Sequence, residues 1–374
     1  MRCRRCVQVL LACVLVTAAA DAPRAEAEER VAVEAVAFAV HGMAAFGAGQ
    51  YGDAFAVFRE AATVYPRDPL LHTGAGLAAT MLGRQRDAVE WFERALRLDA
   101  DQMEASRVLG ELYYRSGRAQ EAIGVYERAL ARRPAAPLST RLDAWRRETR
   151  VLARFTERRA THFSIWFERP EDEAVALTSL RLLESAYQRL GAAMRVHPST
   201  PVTVVLYTPA QFHALTSLPA WTAGAFDGRI RLPLPTPQVP LTEQSRVLAH
   251  ELVHAMVATL AGPSVPTWLD EGLASVLAAD PAERDAADEE ADVALTASGV
   301  PLAMLRQRFS HLTEATATLA YAQSTRAVRR LMARGGTAAV VALLRDVGDG
   351  QLFEEAFGRR FDIPLAEFSA ALAP

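Results

Sequence analysis

Residues 245–260 read Ser-Arg-Val-Leu-Ala-His-Glu-Leu-Val-His-Ala-Met-Val-Ala-Thr-Leu, and His250-Glu251-Leu252-Val253-His254 within them is an instance of H-E-x-x-H. Side chains four residues apart project from the same face of a helix, so both imidazoles could reach one metal ion. Glu251 lies beside them and could act on a water at that ion. Because a carboxylate buried without a partner in so apolar a helix is costly, a bound metal is favoured over an ordinary pair of helix histidines.

A second segment, Pro266-Thr267-Trp268-Leu269-Asp270-Glu271-Gly272-Leu273-Ala274, opens another helix shortly after the break at Gly262-Pro263. A catalytic zinc typically takes three protein ligands and keeps an open position for water. Glu271 is the predicted third ligand, and the adjacent Asp270 is the rival. Ser275, one helical turn further on, is a candidate for supporting a ligand histidine, although a plain surface serine fits the position equally well.

These two segments resemble the gluzincin metallopeptidases, and most of all the bacterial peptidase MA-like domain family, in which Trp-Leu-x-Glu-Gly-x-Ala follows H-E-x-x-H. The similarity runs from about His162 to the C-terminus and includes Ala223–Ile230 and Ala320–Ser324. Aminopeptidases of this clan carry a Gly-x-Met-Glu-Asn segment that this chain lacks, and the spacing to the third ligand is shorter here. The match is therefore to the clan, and exopeptidase action is not implied.

The resemblance implies a zinc-dependent peptidase and assigns its residues. Zinc would be held by His250, His254 and Glu271, and Glu251 would be the catalytic base. Hydrolysis also needs a donor for the oxyanion. Tyr321 is the predicted donor because the other tyrosines of this region, Tyr187 and Tyr207, fall in an amphipathic helix and a buried strand. The alternatives left open are His311 as the donor and simple aromatic packing for Tyr321.

A period of 34 residues between about Ala35 and Ala136 predicts three helical repeats. Small and aromatic residues recur in step: Gly42, Gly76 and Gly110; Ala54, Ala88 and Ala122; Phe58, Phe92 and Tyr126; Ala61, Ala95 and Ala129. Pro66 and Pro134 end the first and third units, whereas Ala100 stands at that place in the second. The pattern resembles the tetratricopeptide repeat (TPR). Such an array either docks a peptide or protein partner or merely supports the next domain.

An arginine-rich stretch from Arg141 to Arg159 predicts a helix that connects the array to the next domain over residues 137–158. Its arginines at a spacing of four would share one face: Arg146, Arg150, Arg154 and Arg158. Glutamates lie among them, so a solvated face is favoured over an anion-binding one.

In residues 159–374 the helical repeat pattern gives way to a mixture of predicted strands and helices. His162–Glu168 and Val202–Tyr207 predict strands on either side of a helix over Glu171–Met194, and Ala223–Leu232 predicts another strand with a bend or bulge. That last strand is expected to lie along the cleft and pair with an extended peptide. Nearly everything from Leu241 onward reads as helix. The expected fold is multidomain: an all-α TPR solenoid followed by an α+β zincin-like metallopeptidase domain.

The first twenty residues read as a signal peptide, with three arginines followed by the apolar run Val7–Ala20. This run of fourteen residues is too short for a comfortable membrane span. Export to the periplasm or the extracellular space is therefore expected, with no span in the mature chain. An uncleaved anchor and lipid attachment at Cys13 are the alternatives. All three cysteines lie in this leader, which excludes disulfides and thiol nucleophiles from the mature chain.

Composition excludes further classes. The chain has no lysine and no asparagine, which rules out a Schiff-base lysine and a Walker-type phosphate loop, and its net charge of −3 predicts no nucleic-acid partner. The function expected from the sequence is a zinc-dependent peptidase, an endopeptidase, with substrate or partner docking by the repeats. One alternative is an inactive TPR scaffold of an extracytoplasmic complex. Another keeps the zinc but hydrolyses a non-peptide amide or ester.

Overall fold

The N-terminal part of the protein is a helical array. The computed structural model describes residues 22–279 and 300–372, so the predicted leader, residues 1–20, lies outside the described residues. Seven helices come first: α1 (Ala22–Gly47), α2 (Tyr51–Val64), α3 (Pro69–Met81), α4 (Gln85–Leu98), α5 (Met103–Arg115), α6 (Ala119–Arg132) and α7 (Ala136–Leu152). Successive helices pack on one another around a core of their own that extends from Ala35 to Trp145. The predicted all-α array is confirmed.

The 34-residue pattern has a direct packing cause. At each repeat an aromatic ring of the second helix lies on a glycine of the first, with Phe58 on Gly42, Phe92 on Gly76 and Tyr126 on Gly110. A Cβ atom built on these glycines would lie 2.6, 2.7 and 2.3 Å from the nearest ring atom, respectively. A larger residue at the glycine would therefore push the two helices of the repeat apart.

A second series of glycines with the same period lies at the turns between paired helices. Gly49, Gly83 and Gly117 have φ angles of +81°, +68° and +82°. Only glycine adopts this left-handed region without a steric penalty, which explains the residue type at each turn. This series shares the 34-residue spacing of the glycines beneath the aromatic rings.

A five-stranded sheet opens the C-terminal part, in the order β1-β2-β3-β5-β4. The strands are β1 (Thr156–Arg159), β2 (Phe163–Phe167), β3 (Val202–Tyr207), β4 (Ala225–Phe226) and β5 (Ile230–Pro233). The inner pairs β2–β3 and β3–β5 are parallel, whereas β1 and β4 pair antiparallel with their neighbours and form the two edges. The predicted mixed α+β domain is confirmed.

The two faces of the sheet have different partners, as the alternation of side chains along β3 shows. Val204 and Leu206 enter the large core of the C-terminal domain, while Val205 and Tyr207 lie in a small cluster with Phe212 on the other face. That cluster includes partly buried side chains from the end of α7. The sheet thus contacts the helical array on one face and carries the C-terminal helices on the other.

Most of the remaining helices build the large core, whereas the one that carries Phe212 packs in the small cluster on the other face of the sheet. The remaining helices are α8 (Glu173–Met194), α9 (Pro209–Thr216), α10 (Leu241–Ala261), α11 (Thr267–Ala278), α12 (Glu314–Gly348), α13 (Phe353–Phe361) and α14 (Leu365–Ala370). Helix α10 packs on α8, α11 and α12, and α11 packs on α12. Among the residues described, no helix combines the length and hydropathy needed to cross a membrane.

Two sequence predictions need correction. The connecting helix predicted to continue to residue 158 or 159 ends at Leu152, and Thr156–Arg159 form strand β1. Arg158 therefore lies on a strand, where it pairs with Glu173, and does not continue a helical row of arginines. Antiparallel pairing with β2 outweighs the helix propensity of this arginine-rich stretch.

The segment Ala223–Leu232, predicted as one bent strand, also differs in the structure. It forms a hairpin, with β4 and β5 paired through Ala225 opposite Arg231 and Phe226 opposite Ile230. Gly228, at the turn, has a φ of +105°, which permits the chain to reverse. As a result β4 lies at the edge of the sheet and β5 is an inner strand.

Candidate metal centre

Two histidines lie one turn apart on α10. Their ring centroids are 4.9 Å apart and the rings are nearly perpendicular, at 78°. The opposite side of the helix is anchored by buried apolar residues of the large core: Leu248, Ala249, Leu252, Val253 and Met256. This burial fixes the rotation of α10, and the two side chains, His250 and His254, remain only 20% and 11% exposed.

Helix α11 brings a carboxylate between the two rings. Glu271 Oε2 lies 3.4 Å from His250 Nε2 and 3.5 Å from His254 Nε2. One ligand atom from each of these three residues lies within 4.8 Å of the other two. The reversal between α10 and α11 uses Gly262, whose φ is +61°. The predicted metal ligands are therefore brought together by the structure.

The glycine that follows Glu271 has a packing role. A Cβ atom on Gly272 would lie 2.4 Å from the backbone oxygen of Ser324 and 2.6 Å from Val328 Cγ2, both on α12. Because the obstacle is largely backbone, only glycine lets α11 lie this close to α12. The Glu-Gly pair in the sequence segment thus combines a candidate ligand with the contact that positions it.

Asp270, the rival ligand of the sequence analysis, faces a different atom. Its Oδ1 lies 2.8 Å from His254 Nδ1, so the ring donates this nitrogen's proton to the carboxylate and keeps Nε2 free to bind a metal. Asp270 thus orients the histidine from behind. Ser275, the residue proposed for such support, lies further along the same helix and is half-buried.

The donor set fits a zinc ion. Glu271 Oε2 is buried and has no hydrogen-bond partner among the described residues, although two imidazole nitrogens point toward it. Burial by itself would raise the pKa of Glu271, but His254 and His250 outweigh it and hold that pKa below its usual range. A buried carboxylate oxygen without a donor, facing two imidazoles, is the arrangement that a divalent cation satisfies.

The histidine pKa shows the same electrostatic balance. Burial lowers the pKa of His254, but the carboxylates of Asp270 and Glu271 outweigh burial and raise it well above its ordinary value. The pocket is therefore built to stabilise positive charge. A cation with two histidines and a glutamate around it meets that requirement.

Glu251, the predicted base, is 5% exposed and its Oε2 has no hydrogen-bond partner among the described residues. Burial raises the pKa of this carboxyl, against the opposing effect of the two histidines. A Cβ atom on Gly224, immediately before β4, would lie 2.6 Å from Glu251 Oε1. The carboxylate therefore extends from α10 to the start of the edge hairpin.

Tyr321, the predicted oxyanion donor, lies on α12 near the same carboxylates. Burial raises the pKa of its phenol, and the charges of Glu271 and Glu251 raise it further. Its ring packs edge-on against Phe309 and Trp221, with centroids 5.2 and 6.5 Å away. The phenol therefore keeps its proton at neutral pH and can donate it in a hydrogen bond.

The alternative donors differ from Tyr321 in exposure or in hydrogen bonding. His311 is exposed at the end of a short 3-10 helix. Tyr187 and Tyr207 are buried, at 3% and 0% exposure, and their hydroxyls bond to Pro198 O and Glu148. The sequence did not identify Trp221 as a neighbour of Tyr321, because it belongs to no motif, whereas Gly224 lies in the Ala223–Leu232 stretch that was predicted to lie along the cleft.

Comparison with known proteins agrees with this architecture. Residues 183–368 match the family described as Peptidase MA superfamily, and residues 40–103 and 86–137 match the family described as Tetratricopeptide repeat. The chain is also 36% identical over 59 residues to Superkiller protein 3 of Saccharomyces cerevisiae. That alignment covers 16% of this chain and 4% of the yeast protein, so it carries no statement about activity. This chain thus carries a Peptidase MA superfamily domain, preceded by tetratricopeptide repeats.

Proposed function

We propose that this protein is a zinc-dependent endopeptidase. The observation that carries the proposal is the buried Glu271 Oε2, which lies between the Nε2 atoms of His250 and His254 and has no hydrogen-bond donor among the residues that the structure describes. Zinc would be held by these three residues. When bound, zinc supplies Lewis acidity toward the scissile carbonyl and lowers the pKa of a water.

The residues around the ion would carry the proton transfers. Glu251 accepts a proton from the attacking water at its carboxylate and passes it to the leaving nitrogen. Burial supports this role because the raised pKa makes the carboxylate a better base than an exposed glutamate. Tyr321 donates a hydrogen bond from its phenol to the oxyanion that develops on the attacked carbonyl.

An extended peptide fits the hairpin beside the base. Strand β4 stands at the end of the sheet and has β5 as its neighbour on one side. The other edge of β4 can form backbone hydrogen bonds with an extended substrate. Such bonds bind a peptide largely independently of its side chains. Gly224 precedes β4 and contacts Glu251, so a peptide on this edge would lie near the base. Protein substrates or partners would dock on the repeats.

The decisive experiment compares the parent with Glu251→Gln. Glutamine keeps the shape of the side chain but removes the basic oxygen. Elemental analysis should find about one zinc per chain in both proteins, because Glu251 is not among the three ligands. Cleavage of an unbiased peptide library, followed by mass spectrometry, should fall by about 10²–10⁴-fold in the variant.

His254→Ala serves as the contrast, since it should lose zinc and activity together. A parent that binds no stoichiometric metal would refute the zinc proposal. A parent that holds zinc but cleaves no peptide would favour the alternative of an inactive TPR scaffold.

A further inference from the structure

The repeat array meets the peptidase domain along one edge. The turns between paired helices provide several of the contacts: Gly49 lies against Leu352, Gly83 against Gly262, and Arg115, at the end of α5, against Gly228. Ser264 also donates a hydrogen bond to the backbone oxygen of Met81 at 2.8 Å. Two of these contacts fall on parts of the candidate site, namely the loop between the metal-ligand helices and the turn of the β4–β5 hairpin.

A buried ionic cluster extends the contact with the hairpin. Glu148, on α7, is 4% exposed and accepts hydrogen bonds from Tyr114 on α5, Tyr207 on β3 and Arg231 on β5. The bond from the Tyr207 hydroxyl is 2.7 Å. Both carboxylate oxygens are used, so the array supplies one of the two carboxylates that pair with Arg231, the other being Asp227 within the hairpin.

The hairpin is held at a second point by another buried arginine. Arg229 is 5% exposed, donates to the backbone oxygen of Tyr114 at 2.7 Å, and lies 4.7 Å from the centre of its ring. Arg231 also donates to Asp227 at 3.1 Å, within the hairpin itself. Without the array, both guanidinium groups would lose partners that the peptidase domain does not supply at these positions.

The same hairpin forms a wall of the candidate active site. Arg231 lies directly opposite Ala225 of the edge strand β4, and Gly224 contacts the Glu251 carboxylate. One side of this two-stranded element is therefore fixed by the array, and the other side faces the base. Strand β5 is also held by its pairing with β3, but β4 has only two residues and β5 as its one neighbour in the sheet, so the position of this edge strand depends on what the hairpin packs against.

We infer that Glu148 and Arg231 are positioning residues, through which the repeat array holds the substrate-binding edge of the active site in place. The inference rests on the proposed peptidase function for its kinetic part. The array would then support the active site in addition to docking a partner, so these two roles of the repeats are compatible.

The test is Glu148→Gln in the full-length, zinc-loaded protein. Glutamine has one acceptor oxygen and an NH₂ group, so it cannot accept from all three donors, and Arg231 loses a charged partner. The matched control is Glu127→Gln, which removes an exposed ion pair with Arg146 inside the array. Amide hydrogen exchange over residues 225–233 and over 241–261 is measured together with zinc content, KM and kcat.

We expect hairpin amides in Glu148→Gln to exchange about tenfold faster or more, with the metal-ligand helix and zinc content unchanged. The value of kcat/KM should fall by about tenfold, mainly through a higher KM, because the hairpin binds substrate while ligands and base stay on α10 and α11. Glu127→Gln should behave as the parent. Tyr114→Phe, which removes one hydrogen bond and no charge, should give a smaller change in the same direction.

The outcomes separate the two proposals. If the amide exchange rates of the hairpin and the KM are the same in Glu148→Gln as in Glu127→Gln, the inference is wrong. Faster exchange that spreads equally to residues 241–261 would also overturn it, because the cluster would then serve general stability. If the parent cleaves no peptide but its hairpin loosens selectively in Glu148→Gln, the proposed function fails while the positional coupling stands. Should Glu148→Gln not fold, the same comparisons are decided with Tyr114→Phe.

Discussion

Replacing Gly272 with alanine should weaken zinc binding through the packing of two helices. The new Cβ would lie 2.4 Å from Ser324 O on α12, and an ordinary contact begins near 3.4 Å. Helix α11 must therefore retreat locally by about 1 Å, because the obstacle is backbone and cannot rotate away. Metal–ligand distances tolerate deviations of only about 0.2 Å, so the neighbouring Glu271 would leave the position that three-ligand coordination needs.

The energetic cost can be bounded. Overpacking of a well-packed interior costs about 1–3 kcal/mol, and a clash with backbone belongs at the upper end. Alanine regains up to about 1 kcal/mol in helix propensity. The net destabilisation is about 2 kcal/mol, which corresponds to a fall in Tm of roughly 4–8 °C for a domain of this size. Zinc affinity should fall by at least the roughly 10–100-fold that displaced supporting residues produce.

The assay is chelator competition for zinc affinity, together with calorimetry of the metal-free and metal-loaded proteins. Gly47→Ala is the matched control, since Gly47 ends α1, is exposed and has no neighbouring atom within 4 Å of a built Cβ. That variant should be neutral or slightly stabilising, within about 1 kcal/mol, with zinc affinity unchanged. If Gly272→Ala binds zinc as tightly as the parent and melts at the same temperature, the close approach of α11 and α12 does not position Glu271.

Three further substitutions test separate parts of the structure. Tyr321→Phe should lower peptide hydrolysis by about 10²–10³-fold with zinc content unchanged, and an unaltered rate would show that the phenol only packs. Asp270→Ala should lower zinc affinity by about 10–100-fold in chelator competition, because His254 loses its orienting partner, and equal affinity would contradict that role. Gly83→Ala should cost about 1–2 kcal/mol in a denaturant titration, since φ is +68° there and a Cβ would lie 3.0 Å from Gly262 Cα. A denaturation midpoint equal to that of the parent would show that alanine causes no strain at this position.

Local patterns sufficed for much of the architecture. The 34-residue period identified the repeats because each ring needs a glycine beneath it, and this contact recurs within a single repeat. Strand β3 was predicted at its observed bounds, since its side chains are buried on both faces and flanked by prolines. The three candidate ligands could be named from H-E-x-x-H and the glutamate after it, because helical spacing alone aligns the histidines.

Sequence spacing alone could not decide which of two adjacent carboxylates is the third candidate ligand. Asp270 and Glu271 follow each other on α11, and which of them points to the histidine Nε2 atoms depends on how α11 crosses α10. The resemblance to a family favoured Glu271, and the structure supplies the reason. Contact with α12 at Gly272 fixes the rotation of the helix and thereby the direction of both side chains.

Long-range pairing decided the remaining features. The arginine-rich segment was predicted as one helix, yet the helix ends at Leu152 and Thr156–Arg159 form β1, because β2 offers a partner for the backbone there. The buried Arg231 reads in the sequence as an ordinary charged residue of a strand. Its partner Glu148 lies 83 positions earlier, on a helix that only the folded chain brings to the sheet. Sequence determined the pair of histidines that can bind a metal and the repeats that can stack, since both depend on neighbours along one helix or one repeat. Only tertiary structure decided which carboxylate faces the histidines and how the array contacts the β4–β5 hairpin, because both depend on contacts between residues on different elements.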